Sequence, residues 1–429
     1  VTLDDTRTTQ LRFTVNSPPN TGILIDDIRI TPARPQQITS VRVVPITIPA
    51  LIGTKASPLA KLEIETTGRL DPIAVTDIRA TLGGTTDRSD LLSIDIYNGE
   101  TLNRFTAGKP VARLNVTKTT NGPFVTSFPA SSPHLSEGTN FIWIAGHVAR
   151  NANIDHRIEV TCNAVTFSNG RTVQLDAAPS IQRMGIALRR SGDDNVHTYR
   201  IPGLTTTNDG TLIAVYDVRR RGGGDLPGDI DVGLSRSTDG GRRWNPMKVI
   251  MDMGSDPRWR YDGIGDPAVL VDRQTGTIWV AATWSHGNRS WRGSGPGLAP
   301  TETGQLMLVR SDDDGRTWSE PINITRQTKR PEWCFLLQGP GKGITMQDGT
   351  LVFAAQYQDP PAKNRLPHST IIYSKDHGKT WQVGTGAFDD TTEAQVVEIS
   401  PGVLMLNCRY NRQSHRVVMI TRDMGASWQ

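Results

Sequence analysis

"STDGGRRW", Ser237–Trp244, is a tight turn with a tryptophan behind it, and it is one of four. The same frame returns as "SDDDGRTW" (Ser311–Trp318), "SKDHGKTW" (Ser374–Trp381) and "TRDMGASW" (Thr421–Trp428). In each copy the Ser or Thr, and the Asp two residues on, carry oxygens that bond turn backbone groups. The Gly two residues after the Asp supplies a positive φ, and the Trp three residues later packs between sheets. Turn chemistry alone accounts for Asp239, Asp313, Asp376 and Asp423, which read as turn staples rather than catalytic groups.

A second element alternates strictly with the first. It is a turn followed by a strand: "DGTLIAV" at Asp209, "TGTIWVA" at Thr275, "DGTLVFA" at Asp348 and "PGVLMLN" at Pro401. From Gly210 to Gly276, Gly349 and Gly402 the spacings are 66, 73 and 53 residues. A period of that size, built from four-strand units, predicts a β-propeller, with about four blades visible.

Outward from the repeat, nearly every segment reads as a strand. "GILIDDIRI", "TLIAVYDVR", "TIWVAATWS" and "LVFAAQYQ" are short, β-branched or aromatic, and bounded by Gly, Pro, Asp or Asn. The chain is expected to be all-β. Residues 1–33 read as the last strands of a β-sandwich, jelly-roll-like, and "PARPQQ" as a linker. Residues 36–182 read as a second, complete sandwich, and 185–429 as the propeller. Val1 begins in what reads as mid-strand, and the fourth turn copy stands at the last residues. Both ends are therefore read as those of a fragment, with further blades held on a separate segment.

Composition narrows the partners. At 429 residues, 36% hydrophobic and 21% charged, the chain has material for several cores. No window approaches 18 apolar residues, so no membrane-spanning helix is expected. The net charge is +4, and of 47 basic residues 10 are Lys and 37 Arg. That excess fits either an anionic ligand, held by the two-pronged guanidinium fork, or a GC-rich genome. The basic residues are dispersed and match no nucleic-acid-binding motif, so nucleic acid is not expected as a partner. Cys162, Cys334 and Cys408 lie far apart in apolar sequence and read as buried free thiols. No cofactor or metal is expected, and no loop has calcium-site spacing.

Five residues carry the chemistry. Arg200 stands in "HTYRIPGL"; Arg219 ends a strand in "VYDVRRRGGGDLPGD", with Asp225 six residues on in a Gly-rich loop. Such a loop brings a carboxylate close to a ligand. Glu393 lies in "TTEAQVVEIS" and Arg409 sixteen residues later in "MLNCRYNR". Singly, each arginine reads as a surface or inter-blade salt bridge. Together they repeat a design in which strand ends of different blades point at one face.

On these residues the chain resembles the sialidase (neuraminidase) family of bacterial exo-α-sialidases. The resemblance rests on "RIP" at Arg200–Pro202, the four Asp boxes, "YDVR" at Tyr216–Arg219, and Glu393 ahead of "NCR" at Asn407–Arg409. It covers about residues 185–429. Residues 36–182 resemble the sandwich found ahead of the propeller in Bacteroides-type sialidases. The resemblance implies a six-bladed propeller, a sialylated glycan as substrate, and a secreted or periplasmic location. It implies that Arg200 and Arg409 belong to an arginine triad on the sialic acid carboxylate. It places Arg219 near the reacting centre, makes Asp225 the acid/base, and has Glu393 take the proton from a tyrosine nucleophile. Asp266, in "GIGDPAVL", corresponds to an Asp that bonds the N-acetyl amide in some relatives. Trp284 and Trp291 are candidates for an apolar wall there, or for inter-blade packing. The third arginine and the tyrosine are expected beyond Gln429; Tyr410, next to Arg409, is not nominated. A neutral tyrosine suits a substrate whose anomeric carbon bears a carboxylate, which would repel a carboxylate nucleophile. The competing reading is a non-catalytic Asp-box propeller that binds glycans; transfer of sialic acid, linkage choice and the role of the sandwich stay open.

Overall fold

A computed structural model of the chain describes residues 34–116, 124–127, 132–254 and 262–429. The expected sandwich strands within 1–33 lie outside the described residues. The chain divides into two compact units, Val1–Ala187 and Leu188–Gln429.

The first unit is two sheets around one core. One runs in the order Gln37–Pro45, Ser57–Thr67, Gly138–Val148, Leu91–Glu100, Ala112–Asn115. The other runs Ala50–Leu51, Ser180–Gly185, Arg157–Phe167, Val75–Thr81, Phe124–Ser127, with Thr172–Gln174 paired beside Arg157–Phe167. Alternation decides the faces: Ile94 and Ile96 point inward to meet Ile78, Val160 and Phe167 of the facing sheet. This is a β-sandwich.

The second unit is four antiparallel sheets in sequence, the blades of a propeller. Blade 1 comprises Thr198–Thr206, Leu212–Arg219, Ile230–Ser237 and Lys248–Met251. Blade 2 comprises Asp262–Val271, Ile278–His286, Gln305–Ser311 and Ile322–Asn323, with Gly341–Lys342 added in parallel to its first strand. Blade 3 comprises Phe335–Gln338, Leu351–Gln358, Pro367–Ser374 and Gln382–Val383, with Ile344–Thr345 also on the second strand. Blade 4 comprises Thr391–Ser400, Val403–Tyr410 and Arg416–Thr421. Helix is confined among the described residues to Thr325–Thr328 and three 3-10 turns. Three apolar clusters are each shared by consecutive blades, and a fourth, around Tyr216 and Val218, belongs to blade 1. Ile213, Val215 and Leu234 pack on Val269 and Val280; Leu270 and Leu308 on Phe353; Val352 and Ile371 on Leu404 and Leu406. A blade therefore buries its faces only against its neighbours, which is why the turn frame must repeat.

The Asp boxes behave as turn staples. In the second, Ser311 Oγ accepts the Gly315 N–H at 2.9 Å, and Asp313 accepts the backbone N–H groups of Arg316 and Thr317 at 3.0 and 2.8 Å. The residue between Asp and Gly also has a positive φ, in Asp314, His377 and Met424, and reaches back to the preceding blade. Asp314 accepts from Thr207 and Thr211 of blade 1 at 2.6 and 2.7 Å and pairs with Arg236. His377 meets Asp272 of blade 2 at 2.8 Å, and Met424 packs into the apolar layer between blades 3 and 4. These are inter-blade struts at a position that looks variable in sequence.

Candidate active site

In an up-and-down blade the start of the first strand and the end of the second share one edge; the Asp box, after the third strand, lies at the other. The site edge is marked by bulges. The first-strand register slips between Arg200 and Gly203, between Gly265 and Ala268, and between Thr392 and Gln395. At each slip a residue other than glycine takes a positive φ: Ile201 (53°), Asp266 (58°) and Glu393 (33°). Such backbone is rare for these residue types, above all for a β-branched Ile, and a bulge re-aims the side chains around it.

Across from the three bulges, on the second strand, stands the residue seven positions after the turn glycine, Asp217, Thr283 and Arg409, and Gln356 holds the same place in blade 3. Two further on come Arg219, Ser285, Gln358 and Asn411. Strands that are apolar up to that point thus turn polar at the same place in all four blades, and most of these polar side chains are buried. Buried polar groups need partners, and here they find one another.

In blade 1, Arg219 is 1% exposed and Asp225, at the lip of its loop, 72%. Arg219 Nη1 donates to Asp225 Oδ1 at 2.7 Å and to the Gly223 carbonyl at 2.8 Å. Arg200 Nη1 donates to the same Oδ1 at 2.9 Å, so two guanidiniums hold one carboxylate. Behind them Asp217 Oδ2 accepts from Arg219 Nε and Nη2 at 3.1 and 2.8 Å. In blade 4, Arg409 Nη1 donates to Glu393 Oε2 at 2.8 Å, both side chains about half exposed. Gln356 of blade 3 accepts the N–H of Glu393.

Asp266 of blade 2 joins the blade 1 group to blade 3. Its N–H donates to Asp217 Oδ1 at 2.8 Å, and Gln338 of blade 3 donates to its carbonyl. Burial raises its carboxyl to about 6; Arg219 and Arg200 oppose the rise, and the nearby Asp225 and Glu393 charges add to it. The first-strand bulges, the ends of the second strands and the loop after Arg219 place all six nominated residues on one edge.

Two hollows flank the cluster. One of about 200 Å³ lies beside Asp225, lined by Arg221, Gly222, Gly224, Gly228 and Asp229. The other, about 420 Å³, is lined by Trp291, Gln356, Arg365, Asp390, Glu393 and Arg409 among others. Trp291 thus lines the larger hollow and packs edge-on against Phe335. Trp284 instead donates to Asp262 at 2.5 Å and packs with the apolar layer of blades 1 and 2. Arg365 fixes the Trp291 segment by donating to the carbonyls of Trp291 and Ser294 at 2.7 and 2.6 Å. Sequence reasoning passed over Asp217, Gln356, Arg365 and Asp390; the repeating offset from the turn glycine would have found the first two. Tyr410 packs against Phe388 and His415. All three cysteines are free and buried. Among the described residues no cluster of metal-ligating side chains stands and no helix is long and apolar enough to cross a membrane.

Arginines and carboxylates gathered at the strand ends of an Asp-box propeller define a class: a hydrolase for an acidic glycan. The comparisons make the class particular. The BNR repeat-like domain matches residues 201–429, and the N-terminal domain of BNR-repeat neuraminidase matches 38–171. A sialidase of Bacteroides fragilis (strain YCH46) is 40% identical over 412 residues, covering 89% of this chain and 74% of its own length. A sialidase of Paraclostridium sordellii is 33% identical over 244 residues, 55% of this chain and 58% of that protein. Among solved structures, the Hadza microbial sialidase Hz136 aligns with a TM-score of 0.74 at 41% identity, covering 90% of this chain and 79% of that one. The chain belongs to the BNR-repeat neuraminidase family, the sialidases, and is a glycoside hydrolase of the exo-α-sialidase type.

Proposed function

We propose that the protein is a retaining exo-α-sialidase that releases terminal sialic acid from glycoproteins, glycolipids or oligosaccharides, with Asp225 as acid/base. One observation carries this reading. Arg200 and Arg409, each half-exposed, already hold a carboxylate through a single contact of 2.9 and 2.8 Å. A substrate carboxylate can take the remaining N–H donors of both, two bonds at a time. Held there, the sugar's substituents reach the larger hollow, toward Trp291, Gln356 and Asp390, while Asp266 receives a polar substituent of the ring.

The leaving oxygen must come within hydrogen-bond reach of Asp225, so the departing glycan occupies the Gly-lined hollow beside it. Protonated Asp225 gives its proton to that oxygen as the bond breaks and later takes one from water. Arg200 and Arg409 hold the substrate carboxylate toward the geometry of an oxocarbenium-like transition state, with Arg219 beside the reacting centre. Glu393 accepts the proton of a tyrosine nucleophile, the arrangement that suits an anomeric carbon bearing a carboxylate. Sialylated glycans lie outside the cytoplasm, and the reading includes a secreted or periplasmic enzyme.

Asp225→Ala tests the assignment. Turnover of a sialyl galactoside is expected to fall about 10²–10⁴-fold, and that of a 4-nitrophenyl sialoside far less, since phenolate leaves without a proton. Equal losses on both would remove Asp225 from the role. Retained sialoside binding by a wild-type protein that turns over neither substrate would favour the binding-module reading.

A further inference from the structure

We propose that Asp217 is a positioning residue for the acid/base step, fixing Asp225 through Arg219 and tying that loop to the bulge of the neighbouring blade. The inference rests on Asp225 being the acid/base. Asp217 itself is 1% exposed, so it touches no substrate.

Up to Asp225 the loop has little packing to fix it, whereas beyond it Leu226 and Gly228 abut Gly263 of blade 2. A side chain added at Gly222 or Gly224 would meet no atom within 4 Å. What fixes that first stretch is hydrogen bonding, and Arg219 supplies it, donating to both Gly223 and Asp225 through one nitrogen. The placement of Asp225 therefore follows the orientation of the Arg219 guanidinium. That orientation is set from the far side, where Asp217 Oδ2 takes the Nε and Nη2 donors. Arg200 also reaches Asp225 and Gly223, but it is half-exposed and pairs with no other carboxylate among the described residues.

The other Asp217 oxygen faces blade 2. Oδ1 accepts the Asp266 N–H, and a side chain added at Gly265 would stand 3.1 Å from it, so the bulge seats directly on this carboxylate. Burial and the Asp266 charge push the Asp217 carboxyl upward, and the guanidinium opposes them. Both oxygens face only donors, which is the geometry of a carboxylate. The equivalent places in the other blades are filled by Thr283, Gln356 and Arg409, so the propeller itself does not require an acid here.

Asp217→Asn keeps the shape but turns an N–H₂ toward Arg219 or toward the Asp266 N–H. Displacing a reacting group by about 1 Å costs on the order of 10²-fold in rate. In the full chain, kcat on a sialyl galactoside is expected to fall about 100-fold with KM within about 3-fold, and kcat on a 4-nitrophenyl sialoside under about 5-fold. A structural role would lower both substrates alike. Equal losses, with Asp225→Ala still discriminating between the substrates, would overturn the relay alone; so would unchanged kinetics. Equal losses in Asp225→Ala would remove the acid assignment, and the relay with it. Asp217→Thr serves if the Asn variant does not fold, because Thr283 occupies the matching place in blade 2. If neither variant melts cooperatively, Asp217 serves the fold and the proposal fails.

Discussion

The two edges of each blade treat the same side chain in opposite ways. At the Asp-box edge, Asp313 and Asp423 are surrounded by hydroxyl and backbone N–H donors. The Ser427 hydroxyl and N–H, with Thr421, hold the Asp423 carboxyl down at about 2, and the Thr317 hydroxyl and N–H hold Asp313 lower still. At the site edge, burial pushes Asp266 up to about 6 and Asp217 upward as well. The first edge uses its carboxylates as acceptors that close turns. The second keeps carboxylates crowded against each other and against arginine, an arrangement that is unfavourable without a ligand or a reaction to serve. Location within the blade, rather than residue type, separates scaffold from chemistry.

Removing Arg219 should break the site edge most severely. It is buried, and its loss leaves the equally buried Asp217 facing no cation. The expected cost is about 3–5 kcal/mol of stability, with loss of measurable turnover. Chemical denaturation of Arg219→Ala checks it. Asp217→Ala/Arg219→Ala should recover part of that stability, because neither charge is then left alone, while activity stays absent. A double variant no more stable than the single would mean that the pair is not the source of the cost.

At the other edge a comparable deletion should touch stability only. Asp313→Ala removes bonds to Ser311, Arg316 and Thr317 in one turn. About 1–2 kcal/mol is expected, read as a lower melting temperature, with kcat per folded molecule unchanged. A fall in kcat at a temperature where the variant is fully folded would erase the division between the edges.

The unequal legibility of the two edges has the same root. Four copies of the Asp box could be read because each closes its turn with residues adjacent in sequence. Arg200, Arg219, Asp225, Asp266, Glu393 and Arg409 were legible through resemblance to a family, and the structure brings them together. The bulges were not legible: neither Ile201 nor Glu393 is a residue type that announces a positive φ, and the partner that holds the Glu393 N–H, Gln356, lies on another blade. The inter-blade struts stayed hidden for a different reason. Asp314, His377 and Met424 do one job with three chemistries, so the position looks unconstrained. Asp217 was visible as a letter of the YDVR motif, but its role was hidden, because one of its partners, the Asp266 N–H, lies on another blade.

The smallest expected effect is also the most direct contrast, because the two edges should respond to pH with opposite slopes. An unfolded aspartate titrates near about 3.9. Asp423 is held below that in the fold, so the stability it contributes is present above about pH 4 and is lost as pH falls toward 2. Asp266 is held above it, so its contribution is full below about pH 4 and is lost as pH rises through about 6. Melting temperatures of the wild type, Asp423→Ala and Asp266→Asn across pH 2–7 separate the two. The gap between wild type and Asp423→Ala should widen from pH 2 to 4 and then stay level. The gap between wild type and Asp266→Asn should move against the wild type from pH 4 to 6. If the second gap instead moves in favour of the wild type as pH rises, Arg219 and Arg200 outweigh burial at Asp266. The site edge would then resemble the box edge, a set of satisfied ion pairs, and the contrast between scaffold and chemistry would have to rest on exposure and geometry alone.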